Sequence, residues 1–152
     1  MSVLLKKIDG SDLDILYTWR NDPSIYTLSA TQQKVSRKEH EQWFKQITLD
    51  QKSFNYIILY NDAKCGSVRL TYIEENTYRI SIYLINEFQG KNIGSKVIFI
   101  LFKEIVPENA SVVADILKDN IKSYNFFIKN NFEKNNEDGQ LIYLKCVKRK
   151  IQ

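Results

Sequence analysis

Histidine, cysteine, proline and glycine are all scarce in this chain. There is one histidine, His40, and there are two cysteines, Cys65 and Cys146. A lone histidine excludes a His-rich metal site, and two cysteines so far apart form neither a disulfide framework nor a zinc knuckle. Two prolines and five glycines leave no room for a flexible linker or a low-complexity tract. Long hydrophobic runs are missing too. The longest, residues 97–102, is far short of the roughly 20 residues that span a bilayer. The start is already charged at Lys6 and Lys7, unlike a secretory signal. A reduced, cytoplasmic protein with no metal and no membrane contact is expected. Nor is charge of one sign in excess: 22 basic residues stand against 18 acidic, a net charge of +4. Nucleic-acid binding ordinarily needs a denser basic patch. The basic cluster at residues 145–150 reads as a solvated last strand and tail.

What is present is an ordinary globular balance, with 43% hydrophobic and 26% charged residues in 152, enough for one domain, residues 1–152, with its own core. Residues 3–8 read as a strand. Ser11, Asp12, Leu13 and Asp14 read as a capping box ahead of a helix carrying Leu13, Leu16 and Tyr17, and Asn21-Asp22-Pro23 stops it. A second capping box, Ser36 to Glu39, opens a helix with His40, Trp43, Phe44 and Ile47 on one face at i, i+3, i+4, i+7. Residues 54–60, 67–73 and 78–85 read as an antiparallel meander. A glycine-containing turn then leads into a buried helix over residues 95–105. A strand at 112–116, a helix at 121–130 and a last strand at 141–147 follow. This order predicts an α/β domain with a central, mostly antiparallel mixed sheet and helices on both faces.

The turn at residues 89–94 is the most informative segment. A strand that ends in a glycine turn and opens a helix aims several backbone N–H groups at one point, beside the positive end of the helix dipole. Such a turn suits a phosphate, although an ordinary strand-to-helix turn has the same local pattern. Gly90 and Gly94 permit positive φ, and Asn92 is the next best residue for a left-handed conformation. The spacing matches neither a Walker loop nor a dinucleotide fingerprint.

Gln89, Gly90, Lys91, Asn92, Ile93 and Gly94 resemble the acyl-CoA pyrophosphate loop of the GNAT acetyltransferases, Q/R-x-x-G-x-G/A. The run from Asn120 to Phe132 is similar to that family's helix-and-exit signature, in which Asn begins and Gly-Phe ends thirteen residues. Ala114-Asp115-Ile116 is similar to the Leu-Glu-Val of the family's fifth strand. Trp19-Arg20-Asn21-Asp22 and His40-x-x-Trp43-Phe44 resemble the front half of one branch, which acts on nucleotide-linked amino sugars and, in some relatives, on ribosomal-protein N-termini. Nearly the whole chain is covered. Asn92 and Asn131 stand where the family has glycines, and both are residues that tolerate positive φ. Phe127 stands where many members place the tyrosine that protonates the departing thiolate.

The resemblance implies direct transfer of an acetyl group from acetyl-CoA, the co-substrate, to a primary amine. It implies CoA contacts from Tyr83, Leu84 and Ile85, from Gln89 to Gly94 and Ser95, and from Asn120, Ser123 and Phe127. A backbone N–H near residues 83–85 is expected to hold the thioester oxyanion. The amine's proton needs an acceptor, for which Asp115 and His40 are the candidates and Glu74 or Glu75 the reserve through water. Each has a plainer reading: His40 as a packed core histidine, Asp115 as a backbone orienter, Glu74 and Glu75 as solvated turn residues. For the acceptor, Arg20 and Arg69 suit a diphosphate, and Trp19, Trp43, Tyr72 and Tyr78 suit a sugar or base. Both tryptophans fit apolar helix faces equally well as core. A nucleotide-linked amino sugar is the expected acceptor, and the protein a monomer or homodimer without nucleic acid. Two alternatives stand beside it: a protein N-terminal or side-chain acetyltransferase, and a non-catalytic acyl-CoA-binding module, which Phe127 favours.

Overall fold

The computed structural model describes residues 2–29 and 31–148, so residues 149 and 150 of the basic cluster lie outside the described residues. In chain order the elements are β1 (Val3–Lys7), α1 (Leu13–Arg20), α2 (Pro23–Tyr26), α3 (Arg37–Leu49), β2 (Ser53–Tyr60), β3 (Ala63–Glu74), β4 (Thr77–Leu84), α4 (Ile93–Ile100), β5 (Ser111–Leu117), α5 (Ile121–Lys129), β6 (Glu133–Glu137) and β7 (Leu141–Val147). The strands form one sheet in the order β1-β2-β3-β4-β5-β7-β6. Every neighbouring pair is antiparallel except β4 and β5. This is the mixed, mostly antiparallel sheet expected.

Helices cover both faces. Ile57 and Ile58 are adjacent in β2 and, by the two-residue period of a strand, face opposite ways. Ile58 joins Val68, Leu70, Ile80, Val112 and Leu144 under α4 and α5. Ile57 joins Leu16, Trp19 and Phe44 under α1 and α3. The apolar run at residues 97–102 is helical, as expected, and Leu101–Ile105 widens it into a π turn.

One local expectation is corrected, and two features are added to those expected. The capping box before α1 is Asp9 with Asp12, two residues earlier than Ser11 with Asp14, and it caps a short 3-10 turn that leads into the helix. Asp22 does more than stop α1: it caps α2 by accepting from the Ser24 amide. Strand β6 has no hydrophobic signal at all, since its five residues are exposed. It forms through backbone pairing to β7, and its charges suit a sheet edge.

Asp12 is the buried acid of the fold, with no exposed surface. Its carboxylate accepts from the Asp9 amide at 3.0 Å, from Lys6 at 2.7 Å and from Lys64 at 2.8 Å. Burial by itself raises its pKa, but the two lysines outweigh that and hold it below the ordinary carboxylate value. Since the folded pKa lies below the unfolded one, this stabilisation is complete above the unfolded value of about 3.9 and is lost as pH falls through the folded value. Asp12→Ala is expected to lower stability at pH 7 by about 2 kcal/mol, and denaturant unfolding should show this difference shrinking below about pH 4.

Candidate active site

Strands β4 and β5 pair only at their beginnings, Thr77–Arg79 against Ser111–Val113. Beyond this they separate, while β4 stays paired to β3 as far as Leu84 opposite Gly66. Antiparallel pairing alternates which residues bond across it. The Ile85 amide donates to Cys65 O at 2.9 Å, so Ile85 and Tyr83 turn their backbone groups toward β3. Ile82 and Leu84 therefore turn theirs into the gap. The Leu84 carbonyl is met there by Gln89 Nε2 at 3.0 Å, and the Leu84 N–H is left facing the cleft. Among residues 83–85, Leu84 is thus the one with a free donor, and Ile85 is not.

The expected turn lies beside this open edge. Gly90 and Asn92 adopt φ of +77° and +64°, as read from their types, and Asn131 sits at +72°. No side chain caps α4, so its first amides are left for another acceptor. Helix α5 holds the turn through Lys122, which donates to Gln89 Oε1, and Lys129, which reaches Asn92 Oδ1 at 3.4 Å, and Asn130 at its C-terminal end reaches Ser95 Oγ of α4 at 3.1 Å. Gly94 is corrected in its reason. It lies inside α4 without positive φ, and a Cβ there would stand 2.8 Å from the Phe126 ring of α5. Close packing against α5, not backbone conformation, favours glycine there.

On the other face of the sheet a cavity of about 210 Å³ opens between the strands and the first three helices. Its floor is two rows of opposed residues: Asn55, Arg69 and Ser81 in one, Ile57, Ser67 and Tyr83 in the next. Of these, Asn55, Ser67, Arg69, Ser81 and Tyr83 line it, and Arg20, Tyr26 and Trp43 come from the helices above. The Arg20 guanidinium stands 4.1 Å from the Trp43 ring centroid and that of Arg69 5.4 Å from the same ring. Among the described residues no Asp or Glu lines the cavity and neither arginine has an ion-pair partner. Glu39, bound in its own capping box, attracts Arg20 only from further away. Burial pulls both guanidinium groups below their ordinary pKa, and at Arg69 the charge of Arg20 adds to it. Both remain cations. Burial pushes the Tyr83 phenol well up, so it stays protonated beside Ser67.

The remaining candidates are dispersed. His40 has no exposed surface. Its Nε2 meets Leu13 O at 2.8 Å and its Nδ1 meets Arg20 Nη1 at 3.1 Å. Arginine only donates, so Nδ1 accepts and Nε2 carries the proton. Burial holds the ring below its ordinary pKa, and it is neutral with no nitrogen left for substrate. Asp115 lies just past the point where β4 and β5 part and is ion-paired to Arg79 at 2.9 Å, outside the cavity lining. Trp19 is core, edge-on to Tyr83. Tyr72 and Tyr78 pack on each other at the other end of the sheet and do not line the cavity. Glu74 and Glu75 are exposed at that end. Asn120 caps α5 through the Ser123 amide. Phe127 is buried, packed against Phe132 and Phe126. Asn55, Ser67 and Ser81 were not foreseen. Ser67 and Ser81 alternate with apolar neighbours, a readable polar face, whereas nothing local marks Asn55.

The strands thus part beside an uncapped helix start, and a separate polar cavity opens on the other face of the sheet. Residues 2–133 match the model of the acetyltransferase (GNAT) domain, and the chain belongs to that family of N-acetyltransferases. An uncharacterized protein of Methanocaldococcus jannaschii is 29% identical over 140 residues, which is 87% of this chain but only 28% of that protein. The chain thus spans little more than a quarter of that relative. Among solved structures, a domain from the same organism superposes with a TM-score of 0.84 at 24% identity, over 96% of this chain and 98% of that one. The spermidine N-acetyltransferase of Vibrio cholerae, in complex with CoA and spermine, follows at 0.79 and 14%, over 96% and 95%. The Campylobacter jejuni N-acetyltransferase PseH, in complex with acetyl coenzyme A, stands at 0.74 and 17%, over 96% and 99%. Among the described residues no three His, Cys, Asp or Glu side chains gather to hold a metal ion, and no helix is long and apolar enough to cross a membrane.

Proposed function

We propose that the protein transfers an acetyl group from acetyl-CoA to the primary amine of a small molecule that carries an anionic group, a nucleotide-linked amino sugar being the acceptor that fits best. One observation carries this reading: two arginines without carboxylate partners face a cavity with no acid in its walls. A diphosphate would pair with them bidentately. The Vibrio enzyme's complex holds spermine, a polycation, and such a ligand would here meet two guanidinium groups with nothing to offset them, a juxtaposition that costs several kcal/mol.

In the proposed reaction an N–C bond forms, the thioester C–S bond breaks, and the amine proton passes to water. The Leu84 N–H donates to the oxygen on which charge develops. The amine attacks in its neutral form. The thiolate leaves with an ordinary thiol pKa of about 8.5 and needs no strong acid, so a buried phenylalanine at position 127 is compatible with turnover. The neutral, doubly bonded His40 is given no part in proton transfer. Asp115, held by Arg79, is given none either: Asp115→Asn is expected to keep kcat/KM within about tenfold. A loss of 10²–10⁴, typical of removing a general base, would return that role to it.

The test is thiol release from acetyl-CoA with three acceptors: an amino sugar linked to a nucleoside diphosphate, spermidine, and a peptide with a free N-terminus. The first should exceed the others in kcat/KM by roughly 10²-fold, the value of a few kcal/mol. Comparable or faster turnover of spermidine or the peptide would overturn the reading.

A further inference from the structure

We propose that His40 is a positioning residue for acceptor binding: its uncharged imidazole holds the Arg20 guanidinium in the cavity without neutralising it. This rests on the reading of the cavity as a site for an anionic acceptor. Arg20 is the last residue of α1, where a long side chain is free to swing into water and has rotamer entropy to gain by doing so. Two contacts oppose that, the Trp43 ring 4.1 Å away and His40 Nδ1 at 3.1 Å. The usual partner of a half-buried arginine is a carboxylate, which would hold it equally well but cancel its charge. An imidazole supplies the lone pair and no charge, provided it is neutral and its proton is on the other nitrogen. Both provisions are built in: the Leu13 carbonyl, 2.8 Å away, takes the Nε2 proton, and the ring is wholly buried among Tyr17, Trp43 and Phe44. His40 and Trp43 are one turn apart on α3, so a single helix face sets both contacts to Arg20. Neither cavity arginine is neutralised before the ligand arrives.

Amide substitutions separate the two nitrogens. His40→Asn sets an oxygen about where Nδ1 stands and keeps the acceptor for Arg20. His40→Gln reaches the Leu13 carbonyl and loses that acceptor. The readout is the ratio of kcat/KM for a phosphorylated amino sugar over the same sugar without phosphate. His40→Gln is expected to lower this ratio about tenfold through the acceptor KM, the worth of a hydrogen bond to a charged group, with kcat and the KM for acetyl-CoA nearly unchanged. His40→Asn should restore most of it. Equal ratios in wild type and His40→Gln, or a fall in kcat alone, would overturn the inference. A wild-type ratio near one would instead mean that the anionic-acceptor reading has failed. Should both variants fold poorly, the native protein still decides, because its one histidine makes ring-nitrogen NMR unambiguous. The Nε2–H tautomer with a bare Nδ1 at pH 7 is expected, and an Nδ1–H tautomer or an imidazolium would refute the inference.

Discussion

Arg69→Met is expected to raise the acceptor KM by roughly 10²-fold or more, since removing one member of a desolvated charge pair costs about 2–5 kcal/mol. Arg69 is the centre of the cavity floor, between Asn55 and Ser81, and the sheet leaves its side chain little freedom to be replaced by a neighbour. The KM for acetyl-CoA should hardly move, because the proposed CoA cleft, at the Leu84 end of β4 and the start of α4, does not include Arg69. A second signature is independent of activity. In the free protein Arg69 is a desolvated cation facing Arg20, so methionine, of similar length and without charge, should stabilise the fold. A gain of about 1 kcal/mol corresponds to roughly 2–4 °C in Tm for a chain this long. A variant that loses acceptor binding while melting higher would separate function from stability at this residue. A falling Tm with an unchanged acceptor KM would show that Arg69 serves the fold.

Leu84→Pro is expected to lower kcat by roughly 10²–10³, the cost of removing one oxyanion donor. Proline removes the N–H, and here no β3 partner is lost, because Leu84 faces its backbone into the cleft while Tyr83 and Ile85 bond across. Proline is tolerated where a strand edge is free of its neighbour, and the sheet should persist by circular dichroism. The fall should appear in kcat more than in CoA affinity measured by calorimetry. Replacing the Leu84 amide by an ester linkage removes the N–H alone and serves as the control. Normal kcat in both would place the donor elsewhere on the open edge, at Ile82.

Position 94 and position 40 illustrate where local reading ends. Glycine at 94 is legible as a requirement, and the turn chemistry nearby is legible in kind, since Gly90 and Asn92 do take positive φ. The reason at 94 lies in α5, whose Phe126 ring would have to shift to admit a Cβ. His40 reads equally well as base or core histidine from its helix face. The partners that decide, Leu13 O and Arg20, belong to another helix.

The sequence by itself determined whatever is governed by neighbours along the chain: the capping box at Ser36 and Glu39, the meander, the buried helix after the turn, the helix that follows Asn120, and the family motif that ties them to CoA. Hydrogen bonds over three or four residues and the periods of helix and strand are local quantities, and composition reports them. Only the tertiary structure decided which groups converge. The free Leu84 amide follows from the place where β4 and β5 part. The cavity follows from the register of three strands beneath helices far away in the chain. It excluded Tyr72 and Tyr78, which pack elsewhere on the sheet, and brought in Asn55, Ser67 and Ser81 beside Arg69. Register and helix docking are set by the burial of two cores on opposite faces of one sheet, and a long-range balance of packing leaves no mark at any single residue.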